Sequence, residues 1–358
     1  MKFNTIVGLA CSTVIIFACN KKDSVLPTPQ PAVSNAAYIL CEGGFGSNNT
    51  KLSFYNKNTN TVIGDYFLQQ NPTITSGLGD TGNDMIIYGG KLYIVLNVSG
   101  RVTVLNASNA TFIKNISFIA GPVNKQPRYL AAAKGKIFVT AYDNKVSVID
   151  TTTLTIINSI PVGPNPEGIV ATDNYLYVAN SGGFNLIPDS TVSLIDLNSE
   201  TEIKKIKVGV NPNKIAVNLA GNIFVSAYGN FTNIPPSIFI INAATNSNGI
   251  NLGNNFAYSH LTILGNFAYL YNNYGGGTVA LYNTALNTFV RNNFITDGTV
   301  IATTYGVNVD ATNGDVYIAD AGNFISSGNI TCFNNLGVKK FSFSTSPGIN
   351  PNKIIIKK

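Results

Sequence analysis

The side chains of this chain that could do chemistry are few and regularly placed. Asp84, Arg128, Glu167, Lys214, His260 and Lys353 are separated by one or two lengths of an internal repeat, each beside a short apolar segment. Tyr129 follows Arg128, and Tyr305 occupies the repeat between His260 and Lys353. Acids, cations and phenols that recur at one position of a repeat converge when the repeats close into a ring. The chemistry this suits is recognition of a ligand with several hydrogen-bonding groups. Catalysis has less support. His260 is the sole histidine, so a Ser-His-Asp triad would have to use it, and no Gly-x-Ser-x-Gly elbow supplies a nucleophile. A zinc site built on paired histidines is excluded, and Asp84 and Glu167 are the two acids of the ring that could hold another metal. No cofactor is called for. Gly77-Leu78-Gly79-Asp80-Thr81-Gly82 has the spacing of a dinucleotide fingerprint but leads into a strand rather than opening a helix.

The elements that must position these side chains are read from the repeat itself. Residues 165–209 run through Pro-x-x-Ile, a two-residue turn, the strand LYVAN, a loop, the strand VSLID, a polar turn and the strand IKKIKVG, and the pattern begins again at Asn211. The LYVAN-like strand recurs with its aromatic at Tyr38, Tyr93, Phe138, Tyr177, Phe224, Tyr269 and Tyr317. The VSLID-like strand recurs with its final residue at Asn56, Asn106, Asp150, Asp196, Asn242, Asn283 and Asn334. Seven copies span 278 residues between the first and last of these positions, a mean period of about 46, in the range of propeller blades. One such sheet cannot bury both faces alone, so neighbours must stack. The expected fold is all-β: a seven-bladed propeller of four-stranded blades.

Blade one has strands near residues 37–41, 51–55 and 62–68 but no innermost strand before them. Residues 350–356, NPNKIII, match NPNKI at 211–215 and precede no further blade, so the C-terminal strand is expected to close the ring. Blades two to seven are placed at 83–118, 128–162, 167–208, 213–252, 259–295 and 305–343. Aligning them brings seven residue pairs to one mouth of the channel: Asn83-Asp84, Arg128-Tyr129, Glu167-Gly168, Asn213-Lys214, Ser259-His260, Tyr305-Gly306 and Asn352-Lys353. Tyr142, Tyr228, Tyr271 and Tyr274 fall at or just after the ends of second strands, near the same mouth. They either stack on a ligand or cover the blade cores. The loops beyond them are long in blades four to seven, where binding commonly resides.

Composition narrows the function classes. Charged residues are 11% of the chain and tryptophan is absent, which removes the WD40 signature. The net charge of +6 is dispersed over pairs such as Lys204-Lys205, Lys339-Lys340 and Lys357-Lys358, whereas nucleic acid calls for a clustered stripe. The segment DATNGD at 310–315 lacks the spacing and closing Glu of a calcium loop, and its Asn-Gly hairpin explains it.

Residues 1–18 read as a signal peptide, with Lys2 ahead of an apolar run too short to span a bilayer. The run ends Ile16-Phe17-Ala18-Cys19, which resembles the bacterial lipobox and implies lipidation of Cys19. Residues 19–36 then form a Pro-rich spacer carrying Pro27, Pro29 and Pro31, and residues 37–358 the propeller. With Cys11 removed and Cys19 acylated, Cys41 and Cys332 remain, either bonded across the ring seam or, as burial of thiols favours, free.

The Pro-x-x-Ile, LYVAN, VSVID and IPVG elements resemble the YVTN-type repeat of YncE-like and surface-layer-like propellers, most strongly over residues 127–227. The lipoprotein start, Lys21-Lys22-Asp23 and the opening YILCEGGFGSNN resemble Bacteroidetes-type surface lipoproteins. That resemblance implies a cell-envelope protein, lipid-anchored to the outer membrane and exposed at the surface. Some relatives of this type capture vitamin B12 for an outer-membrane transporter, so the implied partners are a small-molecule nutrient such as cobalamin and a transporter protein. The ligand-binding residues expected are Asp84, Arg128, Tyr129, Tyr142, Glu167, Lys214, Tyr228, His260, Tyr305 and Lys353. Two other classes stay open: a lactonase-like hydrolase or lyase working at the mouth, and a scaffold or adhesion protein.

Overall fold

A computed structural model describes Met1 and residues 35–357 except 184, 254, 255 and 275. Cys19 and the rest of residues 2–34, read above as leader and spacer, lie outside the described residues. Seven four-stranded antiparallel sheets form the expected all-β, seven-bladed propeller; six follow the chain from innermost to outermost strand, and blade one takes its innermost strand from the C-terminus.

Each strand can be traced to a local cause. In blade four, Tyr175–Asn180 pairs with Thr191–Asp196, and both are buried along nearly their whole length, as sheets covered on two faces require. The acid ending the third strand starts the turn to the fourth. Asp196 Oδ1 accepts the N–H groups of Asn198 at 3.0 Å and Ser199 at 2.8 Å, and Asp150 does the same for Thr152 and Thr153. The seven recurrent aromatics are at most 5% exposed and pack between blades. Phe138 of blade three lies with Ile169 and Leu176 of blade four, and Tyr177 of blade four lies with Ile223 and Val225 of blade five.

The ring closes as its sequence implies. Pro351–Lys357 pairs antiparallel with Ala36–Cys41, setting Ile354 opposite Ile39 and Ile356 opposite Ala37. Ile354 is buried in the seam with Tyr317 and Ile330 of blade seven. Beyond it the buried Lys357 places its ammonium 4.9 Å from the Tyr38 ring centroid and donates to the Ser108 carbonyl of blade two.

Two expectations change. The outer strand of blade one is only Thr61–Ile63, and the apolar run after it is a short helix, Tyr66–Gln70, whose first turn is capped by the Asp65 carboxylate at 3.1 Å from Leu68 N. Tyr66 and Phe67 plug the gap between blades one and two. The outer strand of blade five shrinks to Ile250–Asn251. The favoured reading of the thiols holds: Cys41 and Cys332 are both free and buried, although they share the core at the seam.

Candidate ligand-binding site

The side chains at the mouth are aimed by a recurrent irregularity. In blade three, Pro127 pairs with Ala141 and Leu130 with Val139, so Arg128 and Tyr129 together oppose the single residue Thr140. The same bulge places Glu167-Gly168 opposite Ala179 and Asn213-Lys214 opposite Ser226. A bulge bends its strand and re-aims the extra side chain, here from the sheet faces into the channel. The bulged backbones are tied from blade to blade: Thr140 Oγ1 donates to the Glu167 carbonyl at 2.8 Å, and Ser226 Oγ to the Ser259 carbonyl at 2.7 Å. The inner strands approach so closely that a Cβ at Gly168 would stand 2.4 Å from the Asn213 carbonyl oxygen, and one at Gly306 the same distance from that of Asn352. That is why the second member of these two pairs is glycine.

Nine of the ten expected residues line one cavity of about 1420 Å³: Asp84, Arg128, Tyr129, Glu167, Lys214, Tyr228, His260, Tyr305 and Lys353. The tenth, Tyr142, is not among the lining residues; its hydroxyl donates to Glu167 Oε1 and its ring lies 5.0 Å from the Arg128 guanidinium carbon. Tyr271 and Tyr274 also line the cavity.

Charge is concentrated on the side built by blades one to five. Arg128 Nε donates to Glu167 Oε2 at 2.9 Å, and Lys353 Nζ lies 3.1 Å from Asp84 Oδ1. Asp84 Oδ2 also accepts the Leu130 N–H at 3.1 Å, so this carboxylate braces two blades. Lys214 differs from the other two cations. Its Nζ donates to the Tyr129 hydroxyl at 2.5 Å and lies 4.1 Å from that ring's centroid, but among the described residues it has no carboxylate within ion-pair distance. Burial lowers its pKa to about 8 and the Arg128 charge adds to this, against the opposing pull of Asp84, Glu167 and Glu42.

The opposite side, from blades five to seven, is aromatic. Tyr228 and His260 have ring centroids 5.6 Å apart, and Tyr271 follows His260 at 5.2 Å. Phe231 lies beside Tyr228, and Tyr274 stacks with Phe324, which meets Tyr305 edge-on. His260 has both nitrogens engaged, Nε2 with the Tyr228 hydroxyl at 3.2 Å and Nδ1 with Ser259 Oγ at 3.1 Å. Burial, with the charge of Lys214, holds its pKa well below the usual imidazole range, so it is a neutral hydrogen-bonding group at physiological pH.

One charged cavity-lining residue escapes the pair alignment. Glu42 lines the cavity, and its Oε2 accepts from the Tyr305 hydroxyl at 2.5 Å. Burial raises its pKa, while the Tyr305 hydrogen bond and the charges of Arg128 and Lys214 pull the other way. Glu42 stands four residues beyond Tyr38, as Tyr142 stands beyond Phe138 and Tyr228 beyond Phe224. The repeat offset that marks those two tyrosines marks Glu42 equally.

Elsewhere the acidic motif at 310–315 is structural: Asp310 pairs with Lys57 at 2.7 Å and Asp315 with Lys340 at 2.6 Å. The glycine motif at 77–82 is a loop entering the innermost strand of blade two, Gly82–Tyr88. Among the described residues no three His, Cys, Asp or Glu side chains form a group able to hold a metal ion, and no helix is long and apolar enough to cross a membrane.

The ring of seven sheets around a polar, aromatic-walled mouth defines a β-propeller. Residues 35–350 match the family described as a domain of unknown function, DUF5074, and the chain belongs to that family. Among curated proteins none matches it. Similar solved structures include a quinonprotein alcohol dehydrogenase-like protein from Bacteroides thetaiotaomicron, at 13% identity and TM-score 0.65 over 90% of this chain and 78% of that one. Hydrazine synthase from Kuenenia stuttgartiensis matches at 19% identity and TM-score 0.54, over 69% of this chain and 74% of that one. The computationally designed Ika8 protein matches at 13% and 0.56 over 91% of both chains. At these identities the likeness is one of fold.

Proposed function

We propose that this protein is a lipid-anchored propeller of the cell envelope that captures a polar ligand at the channel mouth without turning it over. The observation that carries the reading is the cavity of about 1420 Å³, into which residues from all seven blades converge, charged on one side and aromatic on the other. Its volume exceeds the roughly 300–1,000 Å³ of common small-molecule sites, which suits a large nutrient better than a small metabolite. Support for anchoring comes from the lipobox-like Ile16-Phe17-Ala18-Cys19 and the Pro-rich spacer after it. Delivery of the ligand to an outer-membrane transporter is part of the proposal, on the resemblance to surface lipoproteins that do this for vitamin B12.

Native mass spectrometry of the purified protein after exposure to growth-medium and envelope extract tests the reading. A discrete non-covalent mass increment is expected. Cobalamin is the first pure compound to titrate calorimetrically, and absence of heat would remove it as the ligand.

A further inference from the structure

The charges in the cavity are not evenly satisfied. Arg128 is committed to Glu167 and Lys353 to Asp84, both as ion pairs within the wall. Two groups of opposite sign remain, each held by a phenol alone: Lys214 by the Tyr129 hydroxyl and Glu42 by the Tyr305 hydroxyl, both at 2.5 Å. Among the described residues neither has an ion-pair partner, yet both line the same cavity, Glu42 from blade one and Lys214 from blade five. A hydrogen bond to a phenol orients a charge without neutralising it.

We infer that the cavity selects a zwitterionic ligand, whose anionic group seats on Lys214 and whose cationic group seats on Glu42. Both residues are half-buried and attract each other across the cavity without an ion pair; an anion alone would crowd and desolvate the Glu42 carboxylate, and a cation alone would do the same to Lys214, which is costly for a charge without a direct partner. One molecule bearing both signs relieves both groups together. The aromatic wall of Tyr228, His260 and Tyr271 belongs to blades five and six and offers faces for a planar or aliphatic body beside the charged ends. The free termini of a short peptide have this chemistry in its simplest form. The inference rests on the reading of the cavity as a ligand site, and it is independent of whether cobalamin binds.

The test is a calorimetric titration of the purified protein with the tripeptide Ala-Phe-Ala in four forms: free, N-acetylated, C-amidated and blocked at both ends. The free peptide is expected to bind saturably, and loss of either charge to weaken it about ten- to a hundredfold, the usual worth of a charged hydrogen bond. In Lys214→Met the penalty for C-amidation should vanish while that for N-acetylation persists. Glu42→Gln should show the reverse. The four peptides with the unaltered protein decide the matter even if a variant fails to fold. The inference is overturned if none of the four binds, or if all four bind alike. A cobalamin or extract ligand that binds while every peptide fails would overturn the zwitterion and leave capture at the mouth standing.

Discussion

Lys214 Nζ lies 2.5 Å from the phenol oxygen of Tyr129, a residue 85 positions earlier and two blades away. The contact crosses the mouth of the channel and couples blades three and five through side chains alone. It also places an ammonium in a half-buried site with no counter-ion among the described residues.

Stability should record this. Below pH about 8 Lys214 is protonated in both native and unfolded chains, and its desolvation penalty is fully present. Between about 8 and the ordinary lysine value of 10.5 the native chain has released the proton while the unfolded chain retains it, so stability rises with pH. Denaturant unfolding of the protein and of Lys214→Met across pH 7 to 11 should show the unaltered protein gaining on the variant through this window. A constant difference between them would contradict the depressed pKa.

Arg128 reads from sequence as a ligand-facing cation, but its guanidinium is bound to Glu167, whose side chain is 5% exposed. Removing Arg128 strands that carboxylate, at about 3 kcal/mol, the lower end for a broken buried pair because Arg128 is itself part-exposed. Urea unfolding of Arg128→Met, Glu167→Gln and the double variant should show the double variant recovering much of the loss. Additive losses would mean that the pair is not coupled.

The blade count, the ring position of nine lining residues and the C-terminal closure were legible because each rests on a repeated signal: a buried aromatic, a terminal Asn or Asp, or a Pro-x-x-Ile entry. What stayed hidden depends on geometry that a period cannot express. Whether Arg128 faces a ligand or Glu167 is decided by the bulge at Pro127/Leu130 and by the neighbouring blade. Tyr66–Gln70 reads as strand because Tyr-Phe-Leu is apolar, whereas the Asp65 cap turns it into a helical plug. Glu42 stays hidden because the position four residues beyond the strand aromatic holds no constant side-chain type: it is Tyr142 and Tyr228 in two blades but Asn97, Ser181, Asn273 and Ala321 in others.

The clasp should carry much of the stability. Ile354 is 1% exposed, and burial of such a side chain contributes about 1.5–3 kcal/mol. Deleting residues 350–358 also unpairs Ala36–Cys41 and removes the contact of Lys357 with Tyr38. A melting temperature well below that of the full chain is expected by circular dichroism. An unchanged one would show that the ring holds without its closing strand.

The free thiols give a sensitive check on the seam. Burial pushes the Cys41 thiol up to about 11 and that of Cys332 to about 12, and a thiol reacts as its thiolate. A chromogenic disulfide reagent should find neither in the native protein at neutral pH and both after unfolding. Rapid titration of either in the native state would mean that blades one and seven part readily.

The proposed lipid anchor rests on Cys19. Cys19→Ala should move the protein from the detergent-rich to the aqueous phase when producing cells are fractionated. A variant that stays with the membranes would remove lipidation from the proposal.

The most direct measurement on ligand capture is native mass spectrometry of the extract-exposed protein beside Lys214→Met and Tyr228→Ala, which alter the charged and aromatic sides of the cavity in turn. The prediction is one discrete mass increment on the unaltered protein, reduced at least tenfold in occupancy-derived affinity in both variants while their folds persist. An increment retained in full by both variants, or none on any of the three, would contradict binding at the mouth.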